Sequence, residues 1–575
     1  MCSANLNAIE GFWLPARVRD AVIRSDTPWE RLTLCEGRAA TDDEERAVSV
    51  QWPVLDQDDW HTLVDALNDQ RARVPRGPEL WERLQAALHQ AASALADTTN
   101  PLRATAMESL PSYTGFSDAM IEFTLSSMDL FAIDTLQHAM AFEPTRAVAH
   151  GWTPMEGLPG RIRFYSDGSW LQRLLRMPGE KNNPLFGPAD PPEMMLGYGA
   201  GNVPGTALMI GFLGQAIAAT GHTPPAVVVK NSRREPIFSP LVLSAIEQAD
   251  PEIVANLAVL VWDYENEAIQ RPLMDRAGLV IAAASDETIH TVGHQVSESH
   301  TPARFHAHGH KVSFSAIGRE FLVQDAQDEK TGYALLDAVT ILAALDSVFW
   351  DQFGCLSSRV HFVERGSATH HSAEDYAKRL TEQLRLLAEF LPRGAWPGHW
   401  IHDRYDKYVG IGAGRDVRVI SGYDDTFVVA VDERSPTEYA FQNSINDCQS
   451  RVILVRPVDN LEDVPRDYLS LIPSANLQSM SIAVGQPNKE VSERLLSFAN
   501  ACCTRGVTAL RTVGRGAFPQ LAYSWDGLIP QDLLRSRPAG RFATVEFDTP
   551  YDEIMETYTL LMNRGEAWRS ATLSV

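Results

Sequence analysis

The chain has 575 residues, too many for one hydrophobic core, so two or three domains are expected. Its composition, 45% hydrophobic and 22% charged, is that of an ordinary globular protein. The net charge of −24 argues against nucleic-acid binding and against docking on anionic membranes. The longest apolar stretch, 207–219, is too short to span a bilayer, and the N-terminus lacks a signal-peptide pattern. Six cysteines without metal-type spacing predict a reducing, cytoplasmic location.

The first 125 residues are rich in Trp, Leu and Ala, and their helical spacing, clearest at 78–97, predicts a helical region. From about residue 190, strand-like apolar runs alternate with helix-like ones. The predicted strands are 193–199, 225–230, 255–264 and 278–285, and the predicted helices are 202–221, 239–250, 265–278 and 286–300. This alternation indicates βαβ units around a mostly parallel, Rossmann-like sheet.

A second α/β section follows the extended segment 304–318. Its predicted helices are 333–352, 373–391 and 488–506, and its predicted strands are 359–364, 427–433, 450–458, 477–485 and 507–514. Segment 394–416, rich in Gly and aromatic residues, is expected to be a loop or hairpin.

The glycine-rich stretch GYGAGNVPG, residues 197–205, lies between a predicted strand and a predicted helix, where a dinucleotide-binding turn would be placed. It does not match the G-x-G-x-x-G pattern, and the next strand ends in Lys230 instead of an acidic residue. A cation there suits a nucleotide phosphate or a ribose hydroxyl. The residues alone leave a nucleotide site and a plain tight turn as alternatives.

Cys355 directly follows a glycine, between the predicted helix 333–352 and the predicted strand 359–364. Such a position favours a nucleophilic thiolate. The alternative is an inert buried cysteine, which is common in proteins. Asp351 and Gln352, just before it, orient the nucleophile or merely end the helix.

Several motifs in this order resemble the aldehyde dehydrogenase superfamily, and more narrowly its LuxC-type acyl-CoA reductases, the fatty-acid reductases of bacterial bioluminescence. The motifs are GNVPG (201–205), VVVKNSRREP (227–236), AAASDET (282–288), GHKVSFS (309–315), LDSVFWDQFGCLSS (345–358) and the tail LQSMSIAVG (477–485) with TRGVTALRTVG (504–514). The resemblance covers about 190–515. It implies an aldehyde-dehydrogenase-like α/β fold with a Rossmann-like cofactor domain and an α/β catalytic domain.

The resemblance also implies roles for five residues. Cys355 matches the catalytic cysteine, whose thiolate becomes an acyl thioester. Asn202 matches the amide donor of the oxyanion hole, although it could instead cap the following helix. The cofactor site would include Lys230 at the adenosine ribose, Ser285 where a strand turns into a helix against the pyrophosphate, and Gly201.

Two departures from the family pattern narrow this implied function. With Lys311 aligned on the lysine of the E-L-G-G-K motif of hydrolytic aldehyde dehydrogenases, Ala307 stands in place of the water-activating glutamate. Acyl transfer to a thiol such as CoA is then favoured over hydrolysis. Arg233, with Arg234 beside it, stands where NAD-preferring relatives often carry Glu, and an arginine pairs well with a 2′-phosphate. We therefore expect NADPH as the cofactor.

His306, His308 and His310 alternate, and on one strand they would share a face. This spacing could bind zinc with His370 and His371, but a polar strand face near the cofactor is favoured, so no metal is assigned.

The expected organisation is a helical N-terminal region (1–125), an NAD(P)-binding Rossmann-like domain (126–306), a catalytic domain with the cysteine nucleophile (307–505) and a C-terminal segment that packs back on them (506–575). The expected reaction is NADPH-dependent reduction of an acyl-CoA or protein-bound acyl thioester to an aldehyde. The alternatives are a CoA-acylating aldehyde dehydrogenase working oxidatively, a metal hydrolase built on the histidines, and a non-catalytic scaffold. By resemblance, an acyl-activating synthetase partner and a homo-oligomer are also expected.

Overall fold

The computed structural model describes residues 8–35, 47–126, 153–154, 161–162, 192–219, 221–263, 265–300, 303–327, 334–412, 416–424, 426–484, 493–514, 516 and 526. The predicted C-terminal segment 506–575 lies mostly outside these residues. Within the described part, no helix has both the length and the apolar character needed to cross a bilayer.

The predicted alternation of strands and helices forms a five-stranded parallel sheet. In spatial order its strands are Arg304–His308, Leu279–Ala283, Met194–Tyr198, Ala226–Lys230 and Leu257–Leu260. Its connecting helices are Thr206–Ala219, Phe238–Ala249, Glu267–Arg276 and Asp286–Glu298. The strand order reverses beside Met194–Tyr198, so the carboxyl ends of this strand and of Leu279–Ala283 flank the crevice where such sheets bind ligands.

The N-terminal residues pack on this sheet. Their helices are Ala16–Val22, Gln57–Arg71, Pro78–Ala96, Pro101–Thr114 and Asp118–Ser126. A small sheet of strands Ile9–Glu10, Ala47–Pro53 and Trp29–Cys35, which the sequence analysis did not predict, accompanies them. Trp13 forms a β-bridge with Val259, and the buried residues of both parts belong to one hydrophobic core.

The second section forms a seven-stranded sheet, in the order Val417–Val419, Val428–Asp432, Val452–Val458, Ser358–Glu364, Val312–Ile317, Leu477–Ala483 and Ala509–Thr512. All neighbours are parallel except the first pair. Its helices are Leu335–Val348, Ala373–Phe390, His399–Gly412, Glu438–Asp447 and Glu493–Arg505.

Segment 304–318 is extended as expected, and it forms two strands in different sheets, Arg304–His308 and Val312–Ile317. One expectation from the sequence is wrong. The loop or hairpin expected at 394–416 contains the helix His399–Gly412, whose buried Ile401 and Tyr408 pack into the core of the second section. The predicted domain boundary after 306 falls inside the strand Arg304–His308.

Candidate active site

Cys355 lies in a loop, residues 349–357, that leads into the strand Ser358–Glu364 at the amino edge of the seven-stranded sheet. Cys355 as a whole residue is partly exposed, although its thiol is buried enough for burial to raise the pKa. The hydroxyl of Ser313 donates to the Cys355 carbonyl oxygen at 2.8 Å, and the Ser479 hydroxyl lies 2.9 Å from that of Ser313. We call residues 349–357 the Cys355 loop.

Asn202 joins the Cys355 loop to the glycine-rich turn of the other sheet. Its Nδ2 donates to the carbonyl oxygen of Phe353 at 2.9 Å. This hydrogen bond uses one N–H of the Asn202 amide and orients the side chain. An amide nitrogen carries two hydrogens, so the second remains available to an oxygen at the nucleophile. The contact connects two segments that are far apart in the sequence and lie on different sheets.

Asp526 was not found by sequence reasoning, although the structure places it beside the nucleophile. Its Oδ2 lies 2.8 Å from Nδ1 of His308, and its Oδ1 accepts a hydrogen bond from Gln478 Nε2 at 2.7 Å. Burial raises the pKa of the Asp526 carboxyl. The hydrogen bond and charge of His308, with the charge of Lys311, lower it by more, so the net shift is downward. A single carboxylate so far along the chain carries no motif that links it to Cys355.

Opposite charges act on the Cys355 thiol. Burial raises its pKa and the carboxylate of Asp526 raises it further, while a hydrogen bond from Gln478 and the charge of Arg359 lower it; the net shift is upward. Arg359 is 4% exposed, and its Nη1 makes a 3.4 Å hydrogen bond to the carbonyl oxygen of Ile445. The net upward shift in the pKa disfavours the thiolate of Cys355.

The three alternating histidines do not share one strand face as expected. The strand ends at His308, and the chain then bends at Gly309. The backbone N–H of His310 donates to Asp286 Oδ1 at 2.7 Å, on the helix that follows the neighbouring strand. Within the described ranges, no group of three or more His, Cys, Asp or Glu side chains is arranged to hold a metal ion.

The residues expected to bind the cofactor surround the crevice of the five-stranded sheet. Lys230 ends its strand, and burial, together with the charge of Arg233, lowers the pKa of its amino group to about 8, against the opposing charge of Asp263. A Cβ atom on Gly201 would lie 2.2 Å from Ser232 Oγ and 2.8 Å from Arg234 Cβ. This glycine thus lets the turn approach the loop that carries the arginines, and the cations collected there fit a phosphate-bearing dinucleotide.

Ser285 forms the N-cap of the helix Asp286–Glu298, and its hydroxyl accepts from the Thr288 backbone N–H at 3.3 Å. The first turn of this helix carries two carboxylates, Asp286 and Glu287. They oppose an anion at that helix end, so the structure shows a capping role for Ser285 and its contact with a pyrophosphate stays a prediction.

Arg233 is half exposed at the edge of the crevice. Its Nη2 lies 3.4 Å from Glu30 Oε2, and its guanidinium carbon lies 5.8 Å from the centre of the Trp52 ring. Both partners belong to the small N-terminal sheet. That sheet therefore holds the side chain proposed to contact the cofactor.

Ala307, which stands in place of a water-activating glutamate, is exposed on its strand. Lys311 does not simply extend into solvent, because its Nζ donates to the carbonyl oxygen of Ala475 at 2.5 Å.

Comparison with solved structures identifies the fold. The Delta-pyrroline-5-carboxylate dehydrogenase from Mycobacterium tuberculosis superposes with a TM-score of 0.51 and 14% identity, over 94% of this chain and 92% of that chain. The succinate-semialdehyde dehydrogenase from Burkholderia pseudomallei gives 0.50 and 13%, over 82% and 85%. At these identities the likeness shows the fold alone, which is that of the aldehyde dehydrogenases.

Residues 172–536 match the family model described as Acyl-CoA reductase (LuxC). The match spans more than half of the chain and includes Cys355, Asn202 and Asp526. The chain therefore belongs to the LuxC acyl-CoA reductase family, which are aldehyde-forming oxidoreductases. No curated protein matches the chain.

Replacing Asp526 with Asn should make Cys355 more reactive toward iodoacetamide at pH 7.5. Removal of the negative charge lowers the pKa of the thiol, and each unit of decrease raises the thiolate fraction about tenfold, so an increase of roughly threefold to tenfold is expected. The rate is measured by mass spectrometry of the peptide that contains Cys355. Arg359→Met should slow the same reaction, since it removes the charge that favours the thiolate. A slower reaction in Asp526→Asn would contradict this electrostatic account.

Proposed function

We propose that the protein reduces an acyl thioester to an aldehyde with NADPH through an acyl group bound to Cys355. The observation that supports this proposal is the hydrogen bond from Asn202 to the Phe353 carbonyl oxygen, which brings an amide donor to the loop that carries Cys355. A scaffold without chemistry would not need this arrangement at the ligand-binding crevice of the neighbouring sheet.

The first half of the reaction transfers the acyl group. The Cys355 thiol loses its proton, and its sulfur attacks the carbonyl carbon of the incoming thioester. The oxygen becomes negative and accepts from the second N–H of Asn202. When the carbon–sulfur bond to the donor breaks, the donor leaves as a thiolate and takes up a proton, so the acyl transfer is balanced.

The second half reduces the acyl group. When bound, the nicotinamide supplies a hydride to the acyl carbon. Asn202 then holds the negative oxygen of the hemithioacetal on Cys355. This species collapses to the aldehyde and returns the sulfur as a thiolate, which regains a proton.

Water should attack the acyl group slowly at this site. Ala307 cannot act as a base, and the nearby carboxylate of Asp526 is engaged by His308 and Gln478. The acyl-enzyme therefore persists until the hydride arrives, which favours an aldehyde over an acid as product.

The preference for NADPH rests on the pair of cations at the crevice. Lys230 and Arg233 lie close enough that the charge of Arg233 lowers the pKa of the lysine. A 2′-phosphate between them would relieve this repulsion and accept charge-assisted hydrogen bonds from both. The acyl donor (CoA or a protein-bound thioester), the acyl-activating synthetase partner and the homo-oligomer are proposals carried over from the family resemblance. The cytoplasmic location is a proposal that rests on the cysteine pattern.

Purified protein incubated with NADPH and acyl-CoAs of increasing chain length should consume NADPH and form aldehyde. Loss of absorbance at the nicotinamide band and trapping of the aldehyde measure the reaction. Cys355→Ala should reduce the rate to background, because no acyl-enzyme forms. Consumption that persists in Cys355→Ala would overturn the mechanism.

Ala307→Glu should divert part of the acyl-enzyme to hydrolysis. A carboxylate at this position would activate water, and general bases typically contribute about 100-fold or more, so release of free acid in the absence of NADPH should rise at least about tenfold. Acid is measured with a labelled acyl-CoA. Ala307→Gln has the same size without the base and should show no rise, whereas equal acid from both variants would contradict the role of this position.

Arg233→Ala should raise KM for NADPH by roughly tenfold to 100-fold and leave KM for NADH within about twofold. The lost charge-assisted contact, worth about 1.5 to 3 kcal/mol, is made only to the 2′-phosphate. Steady-state kinetics with both cofactors provide the measurement. Arg365→Ala, a change at an arginine on the other sheet, is the control. Equal changes in KM for NADPH and NADH would contradict a contact between Arg233 and the 2′-phosphate.

A further inference from the structure

The Cys355 loop begins with a backbone conformation that few residues adopt. Trp350, Asp351 and Gln352 have φ angles of 52°, 47° and 66°, so three consecutive residues other than glycine lie in the left-handed region. Side chains disfavour this region, and a run of three persists only where the surroundings hold it. The turn ends three residues before Cys355, the proposed nucleophile.

The side chain of Asp351 holds this turn from three directions. It is fully buried, and its Oδ2 accepts from the backbone N–H of Gly394 at 3.0 Å and from Trp396 Nε1 at 2.8 Å. Its Oδ1 accepts from Nε of Arg451 at 2.7 Å, and the arginine side chain is 1% exposed. The carboxylate thus joins the turn to two segments that are distant in the sequence.

The segments that meet Asp351 are themselves fastened to each other. Ser450 and Arg451 also have left-handed backbone angles, with φ of 57° and 72°. The Ser450 hydroxyl accepts from Arg393 Nε at 2.8 Å, and Arg393 Nη1 donates to the Trp396 carbonyl oxygen at 3.1 Å. A close network of this kind resists relaxation of the turn.

We propose that Asp351, through its buried ion pair with Arg451, is a positioning residue that holds Cys355 and the Phe353 carbonyl in register with Asn202. The proposal rests on the proposed function of Cys355 as the nucleophile. Loss of the pair would let the left-handed turn relax toward ordinary backbone angles. Because Phe353 is bonded to Asn202, the same relaxation would move the nucleophile and misalign the oxyanion donor together.

A second buried ion pair, Asp432 with Arg456, provides a control away from Cys355; Asp432 also pairs with Arg434 at 2.7 Å. Asp432 and Arg456 are 0% and 3% exposed in their side chains and lie 2.9 Å apart. Asp432 ends its strand at the carboxyl edge of the sheet, the edge opposite to Cys355. Breaking either pair leaves a buried arginine without its carboxylate, so both changes should lower the melting temperature.

The test compares Asp351→Asn with Asp432→Asn at a temperature where both are folded. Asp351→Asn should lower kcat at least tenfold, because the nucleophile and the oxyanion donor are misaligned. It should also change the rate of iodoacetamide modification of Cys355 at least threefold in either direction, because the thiol moves relative to the charges of Asp526 and Arg359. The dissociation constant for NADPH should stay within twofold of wild type. Asp432→Asn should lower the melting temperature at least as much, because it loses its pairs with both Arg434 and Arg456, and keep both rates within twofold. If Asp351→Asn keeps both rates within twofold, the pair is structural only and the proposal is wrong.

Trp396→Phe covers the case in which Asp351→Asn does not fold. It removes one donor to Asp351 and retains an aromatic ring, and it should change the rate of Cys355 modification about threefold or more in either direction; an unchanged rate would overturn the proposal. The alkylation readout also separates the two hypotheses. If wild-type protein reduces no acyl thioester but Asp351→Asn still changes the alkylation rate, the positioning role stands and the proposed function fails.

Discussion

The hydrogen bond from Asn202 to the Phe353 carbonyl connects the two sheets where the proposed chemistry takes place. It requires the carboxyl edge of the five-stranded sheet to face the amino edge of the seven-stranded sheet. The chain passes directly from the first sheet to the second between the strands Arg304–His308 and Val312–Ile317.

Charged side chains near Cys355 influence the pKa of its thiol. Asp526 and Arg359 act on the Cys355 thiol with opposite signs, and burial adds to the effect of the carboxylate. Because the thiolate is the reactive form of a cysteine, these opposing effects decide how readily Cys355 reacts.

Most of the fold was predictable because the strands of the five-stranded sheet are short, apolar and separated by helices of clear spacing. The strand Ala226–Lys230 is one example, since its β-branched run has few other interpretations. The helix His399–Gly412 was missed because its glycines and aromatic residues have no strong helical pattern, and burial of Ile401 and Tyr408 stabilises it instead. The small N-terminal sheet was missed for a related reason, since its strands lie among stronger helical signals.

The sequence by itself determined the family resemblance and pointed to Cys355, Asn202, Lys230 and Gly201 as candidate site residues, because each lies in a local motif beside a predicted strand. Only the tertiary structure decided which distant groups meet there. Asp526 pairs with His308, Arg451 pairs with Asp351, and Glu30 contacts Arg233. These contacts come from segments with no shared spacing, and a hydrogen bond or ion pair depends on distances in space that periodicity along the chain does not encode.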